Sequence, residues 1–163
     1  MSRLKALLEA LRGRGTIREY PLKPLPAPEG FRGLPRIDPG ECIGCGACTL
    51  ICPSQALRRR EGGEEVVIEY FAGRCIFCAM CWEVCPQNAI TITREYELAA
   101  LDENELKTEV SNRMAICEYC SRGYATEKAL ARVREVIGDQ PYLDYCIECR
   151  RLLFLKALSM GRR

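Results

Sequence analysis

Two runs of four cysteines repeat one spacing. Cys42, Cys45, Cys48 and Cys52 are followed by Pro53, and thirty-three residues on Cys75, Cys78, Cys81 and Cys85 are followed by Pro86. Each run reads C-x2-C-x2-C-x3-C-P, the ligand spacing of a site for a 4Fe–4S cubane. A chain with this feature has little choice of fold. Its core must be built around sulfur cages, in two related halves. The implied chemistry is the movement of single electrons.

Composition supports metal rather than disulfides. Cysteine makes up 12 of 163 residues, near the level that marks a disulfide or metal scaffold. The first fifteen residues carry Arg3, Lys5, Glu9, Arg12 and Arg14, too much charge for the apolar centre of a signal peptide. No stretch approaches the roughly 20 apolar residues of a spanning helix. The expected state of the cysteines is therefore thiolate on metal. Histidine is absent. That excludes a His–Cys catalytic pair, a Rieske-type cluster and any imidazole-ligated zinc. No phosphate-cradling glycine loop is present either, so the chain is expected to carry no active site of its own.

Charge is uneven. Residues 1–40 hold eight Lys/Arg against four Asp/Glu, and residues 41–163 hold sixteen against eighteen. The basic arm suits a partner surface or lipid headgroups. The longest basic run is Arg58, Arg59 and Arg60, and no nucleic-acid role is expected.

The expected organisation has three parts. In residues 1–35, Leu4, Leu7, Leu8 and Leu11 form the apolar stripe of a helix over 1–12, stopped by Gly13 and Gly15. That helix packs on its own protein, on a partner subunit or in a membrane interface. Six prolines between Pro21 and Pro39 forbid helix and interior strand, leaving an extended docking arm. Residues 36–98 form an internal repeat. Each half has a cysteine-rich loop, a short helix around the third and fourth cysteines, a Pro-led turn and a strand. Val66–Tyr70 is a further strand reached by a turn at Gly62-Gly63. Residues 99–163 are read as a helical extension. Asp102 caps a short helix with Glu105 as capping-box partner, Thr126–Ile137 is helical with Gly138 as its stop, and Leu152–Met160 is a final helix. Thr91-x-Thr93 and Glu95-Tyr96-Glu97 are expected at the solvated end of a strand. The fold class is α+β.

In bacterial two-cluster ferredoxins the fourth cysteine of each run ligates the other cluster. On that rule Cys42, Cys45, Cys48 and Cys85 hold one cubane, and Cys75, Cys78, Cys81 and Cys52 hold the second. Gly44 and Gly46 let backbone come close to the inorganic sulfurs. Ile43, Ile76, Phe77 and Trp82 are expected to screen the cubanes from water, with Arg74 nearby as a charge that raises the potential. A second constellation, Cys117-x2-Cys120 and Cys146-x2-Cys149, lies further on. Two knuckles separated by 25 residues suit a closed tetrahedral S4 site for one zinc, or alternatively a single rubredoxin-like iron. Tyr119, Tyr124, Tyr142 and Tyr145 flank it as core or interface aromatics.

The chain resembles the ferredoxin-like, two-cubane subunit of membrane-bound nickel–iron hydrogenases of the formate hydrogenlyase and hydrogenase-4 type. It is also similar to the two-cluster peripheral-arm subunit of respiratory complex I. Glu19-Tyr20-Pro21-Leu22, Gly30-Phe31-Arg32-Gly33, Cys42-Ile43-Gly44-Cys45 and Cys75-Ile76-Phe77-Cys78 carry the resemblance. Glu83-Val84-Cys85-Pro86 and Glu95-Tyr96-Glu97-Leu98-Ala99 extend it. It implies an electron relay: entry from a donor subunit or ferredoxin, transfer through two clusters, and exit to a small cluster-bearing subunit and the nickel–iron site. It further implies a peripheral place on the cytoplasmic side of a membrane. A free ferredoxin carrier and a metal-stabilised interaction or nucleic-acid module are the competing expectations.

Overall fold

The computed structural model describes residues 3–11 and 26–160. It divides into two compact units, residues 1–31 and 32–163. In the first, helix α1 spans Arg3–Leu11, as the leucine spacing requires. Residues 12–25, with the expected stop at Gly13 and Gly15 and with Tyr20, Pro21 and Pro24 of the proline arm, lie outside the described residues.

The second unit is built on two sheets. Strands β1 (Pro35–Ile37) and β4 (Ile90–Ile92) form an antiparallel pair, with Pro35 opposite Ile92 and Ile37 opposite Ile90. Proline is tolerated at β1 because it is the first residue of a two-stranded ribbon and owes the ladder no donor there. Just before β1 two of the segments that carry the family resemblance meet. Gly33 N donates to Thr93 O at 2.9 Å and Leu34 N to Glu95 O at 2.8 Å. A Cβ on Gly33 would stand 2.2 Å from Glu95 O, so only glycine fits. Thr93 Oγ1 donates to Leu34 O at 2.8 Å, and Arg36 pairs with Glu95 at 2.8 Å. The Thr93–Glu95 stretch follows β4 with Glu95 exposed, as expected for a solvated strand end, and it also clasps Gly33 and Leu34. The alternating polar residues concealed that, because their partners are nearly sixty positions away.

The larger sheet runs β2-β3-β5-β6, all antiparallel. Strands β2 (Leu57–Gly62) and β3 (Glu65–Phe71) close the expected hairpin, with Gly63 at φ 58 in its turn. Strand β5 (Lys107–Ile116) was not anticipated. It pairs with β3 from Glu65↔Arg113 to Phe71↔Lys107, and β6 (Gly123–Thr126) pairs with its end. The sheet therefore runs across the boundary expected at residue 98, and the extension is not purely helical. Asp102 caps a short helix, as expected, but without Glu105 as its capping-box partner. Residues Glu103–Leu106 form a single 3-10 turn, and Asp102 accepts from Asn104 N. Strand β5 starts immediately afterwards, leaving no room for the α-turn in which Glu105 could reach back.

Short helices α2 (Ala47–Ile51) and α3 (Met80–Val84) each follow a cysteine loop. Helix α4 (Glu127–Ile137) stops at Gly138, as expected, and begins one residue later than expected, with Thr126 as its N-cap. Helix α5 (Ile147–Met160) begins five residues before the expected Leu152. The main core gathers Leu57, Val66, Ile68, Tyr70, Ala72 and Ile90 with Cys48 and Cys81. Cage cysteines are thus part of the hydrophobic core itself.

Candidate iron–sulfur and metal centres

The two cysteine runs come together in crossed fashion. Cys42, Cys45, Cys48 and Cys85 line one cavity, with Ile37, Ile68 and Ile90 behind them. Cys52, Cys75, Cys78 and Cys81 line another, with Pro35, Tyr70 and Ile92 in the corresponding places. Strands β1, β3 and β4 thus each offer one residue to either cage, two positions apart, which puts both on one face of the strand.

The loops match in backbone as well as in spacing. Left-handed φ angles occur at Gly44 (68), Gly46 (80) and Gln55 (52) in the first run, and at Phe77 (55), Ala79 (64) and Asn88 (51) in the second. These are equivalent positions counted from the cysteines. For phenylalanine and alanine that conformation costs on the order of 1–2 kcal/mol each. The same left-handed backbone thus recurs at the same points of two loops, carried by glycine at two points of the first and at the cost of strain in the second.

The donor sets suit iron–sulfur clusters. Each cage offers four sulfurs and no carboxylate or imidazole, a soft set that selects such clusters. Thiols crowded together in apolar surroundings resist ionisation. Burial first, then the neighbouring thiolates Cys42 and Cys45, push Cys48 up to about 12. Burial also carries Cys81 to about 11. Cys52 goes the other way: despite burial, N–H groups from Leu57 and Ala56 and the Ser54 hydroxyl hold its pKa down. Burial, and then the Cys75 thiolate beside it, push the Tyr70 hydroxyl upward.

Screening is uneven. Ile43 lines the first cage and Ile76 and Phe77 the second, although Ile76 is 60% exposed. Trp82 lines neither and stands 49% exposed on α3, so its expected shielding role is corrected. A five-residue helix turns residue 82 outward once Cys81 is turned in.

Three neighbours of the first cage were not singled out from the sequence. Arg59 Nε donates to Gly44 O at 3.3 Å. The run Arg58–Arg60 was visible, but not that alternation on β2 sends Arg59 to the loop while Arg60 pairs with Glu69 and Glu109. Asn112 of β5 is buried, and a Cβ on Gly44 would stand 3.0 Å from its Nδ2. Thr126 Oγ1 donates to Ile43 O while also capping α4, so the extension braces the first loop.

The second constellation also converges. The sulfurs of Cys117, Cys120, Cys146 and Cys149 all lie within 4.8 Å of one another. Cys120 and Cys146 are 3.7 Å apart. Tetrahedral metal–sulfur bonds of ~2.3 Å require sulfurs ~3.8 Å apart, so the cage has the right size. The first knuckle is the turn between β5 and β6, with Ser121 at φ 55; the second opens α5. Cys146 N donates to Cys117 Sγ at 3.3 Å. Against burial, such N–H groups hold Cys117 down to about 6. Burial and its fellow cysteines push Cys149 up. Tyr124 and Tyr145 pack against this cage, whereas Tyr119 and Tyr142 are half-exposed.

Residues 41–90 match the 4Fe-4S dicluster domain family. Formate hydrogenlyase subunit 6 of Escherichia coli (strain K12) is 38% identical, over 81% of this chain and 79% of that protein. The chain belongs to the family of formate hydrogenlyase subunit 6. It is an iron–sulfur electron-transfer subunit of an oxidoreductase complex, as the resemblance implied. F(420)H(2) dehydrogenase subunit I of Methanosarcina mazei is 48% identical over 33 residues, 20% of this chain and 19% of that protein. A chain of the archaeal membrane-bound sulfane sulfur reductase, a respiratory membrane complex, aligns at 25% identity and a TM-score of 0.42, covering 65% of this chain and 58% of that one. Among the described residues, no helix is long and apolar enough to cross a membrane.

Proposed function

We propose that this member of the formate hydrogenlyase subunit 6 family relays electrons to the catalytic subunits of a membrane-bound hydrogenase or a complex I-like oxidoreductase. Cys42, Cys45, Cys48 and Cys85 would hold one 4Fe–4S cluster, and Cys75, Cys78, Cys81 and Cys52 the second. When bound, the two clusters supply one-electron acceptance and release. The chain's own residues hold them close together, keep water from their inner faces and set their potentials. The observation that carries the reading is the crossing: each cavity is completed by the fourth cysteine of the other run. Together with the C-x2-C-x2-C-x3-C-P spacing, it is the ligand arrangement of two-cluster ferredoxins.

Cys117, Cys120, Cys146 and Cys149 would hold a structural metal, zinc in this reading, since all four positions are taken by sulfur. Partner subunits are supported by α5, where Leu152, Phe154, Leu155 and Leu158 are all more than half exposed. An apolar stretch of this kind marks a docking surface. The leucine stripe of α1 and its basic surroundings suit a second contact, at a partner or a cytoplasmic membrane face.

Purification of the native complex with metal analysis and EPR tests the reading. Eight cluster irons and one zinc per chain are expected. Nine irons and no zinc would move the third site to a rubredoxin-like iron. Fewer than two reducible cubanes would overturn the relay.

A further inference from the structure

The inward face of β3 alternates Val66, Ile68 and Tyr70, all buried. Ile68 backs the first cage and Tyr70 the second. The other strand residues facing the cages are apolar on both sides: Ile37 and Pro35 from β1, Ile90 and Ile92 from β4. Tyr70 is the exception. It is 4% exposed, and its hydroxyl finds no hydrogen-bond partner among the described residues. A phenylalanine would fill the same space without burying a hydroxyl, and buried hydroxyls are kept where they have something to bind. It shares its cavity with the sulfurs of Cys52, Cys75, Cys78 and Cys81, and Cys75 is the thiol that acts on it most strongly. The other hydroxyl in this cavity, Ser54, is already at Cys52, 3.7 Å away.

We propose that the Tyr70 hydroxyl donates a hydrogen bond to sulfur at the Cys75 corner of the second iron–sulfur site, and so raises the potential of that site alone. The proposal rests on the two-cluster reading above. Its physical basis is that a reduced cluster carries one more negative charge than an oxidised one. A donor aimed at its sulfur favours the reduced form, and removing the donor favours the oxidised form. Tyr70 is thus a positioning and tuning residue; it makes no bond to a substrate.

The test uses the full chain with its clusters in place, titrated potentiometrically and followed by EPR. The unaltered chain must first show two reducible couples; fewer would defeat the two-cluster reading, and this proposal with it, before any variant is made. In Tyr70→Phe, one couple is expected to move to lower potential while the other stays where it was. With 3-fluorotyrosine at position 70, ring and hydroxyl are kept and the O–H becomes a stronger donor. The same couple is then expected to move upward. Opposite shifts of one couple are a signature that loss of packing does not produce. Two couples that stay put in Tyr70→Phe, or that move together, overturn the proposal. If Tyr70→Phe fails to retain clusters, the fluorinated chain decides alone: an unmoved couple there overturns it.

Discussion

The two cages are built from one repeated sequence and solve one geometric problem by different means. The first places glycine at two of its three left-handed positions, Gly44 and Gly46, and the second places Phe77 and Ala79 at the same points. Glycine makes the first loop unstrained and leaves it bare, and the rest of the chain covers it: Arg59 donates to Gly44 O, and Asn112 and Thr126 pack against Gly44. The second loop covers itself with its own side chains and takes a buried hydroxyl from β3. A repeat therefore does not imply equal halves. Backbone geometry at the sulfurs is shared, while the polar environment is set by strands and helices that are not repeated.

The largest way to break the comparison is at the crossing. Cys52→Ala is expected to abolish the second cluster although residue 52 belongs to the first run; iron content and EPR would show it. Because Cys81 and Cys48 belong to the core, that loss should also lower thermal stability sharply, as seen by circular dichroism. Cys85→Ala should remove the first cluster instead. If Cys52→Ala keeps both clusters, the cages are not crossed.

Next in size is the third centre. Cys146→Ser should release the metal of the S4 site and loosen α5, with metal analysis falling by one ion and both cubane EPR signals retained. Loss of cubane signal in that variant would show that the extension and the cages do not fold separately.

Swapping the loop solutions sharpens the comparison further. Gly44→Ala forces a Cβ to 3.0 Å from Asn112 Nδ2 at φ 68, and should destabilise the chain by about 1–2 kcal/mol from conformation alone. Ala79→Gly relieves a similar strain but adds freedom to the unfolded chain, so the two terms nearly cancel. Chemical denaturation of both variants should show this asymmetry.

The smallest effect is electrostatic. Arg59→Gln removes a cation from the first loop and should lower the potential of that cluster, leaving the second in place. A voltammogram in which the second couple moves instead would put Arg59 nearer the other cage.

Much of this was legible in the residues. Cysteine spacing gave both cages and the S4 site, because ligand geometry is local within each run. Gly138 marked the end of α4, another local rule. Strand β5 was not legible. Lys107–Ile116 interleaves Glu109, Asn112 and Arg113 with its apolar residues, and its identity as a strand comes from β3, some forty residues earlier. Tyr70 was visible as part of a strand but not as a buried hydroxyl that shares a cavity with cage cysteines. That requires knowing that Ile68 and Tyr70 face different cages. Trp82 failed as a screen because nearness to a ligand in sequence says nothing about direction on a short helix.

The position of Cys85 in the cage of Cys42, Cys45 and Cys48 also constrains biogenesis. A nascent polypeptide that has emerged only as far as residue 84 offers three of the four anchors for its first cofactor. If the two cages hold clusters as proposed, full ligation of the first waits until the second half has left the ribosome and folded back. Delivery machinery would meet a nearly finished subunit rather than a growing one, and a truncated product would carry neither cofactor in a closed site.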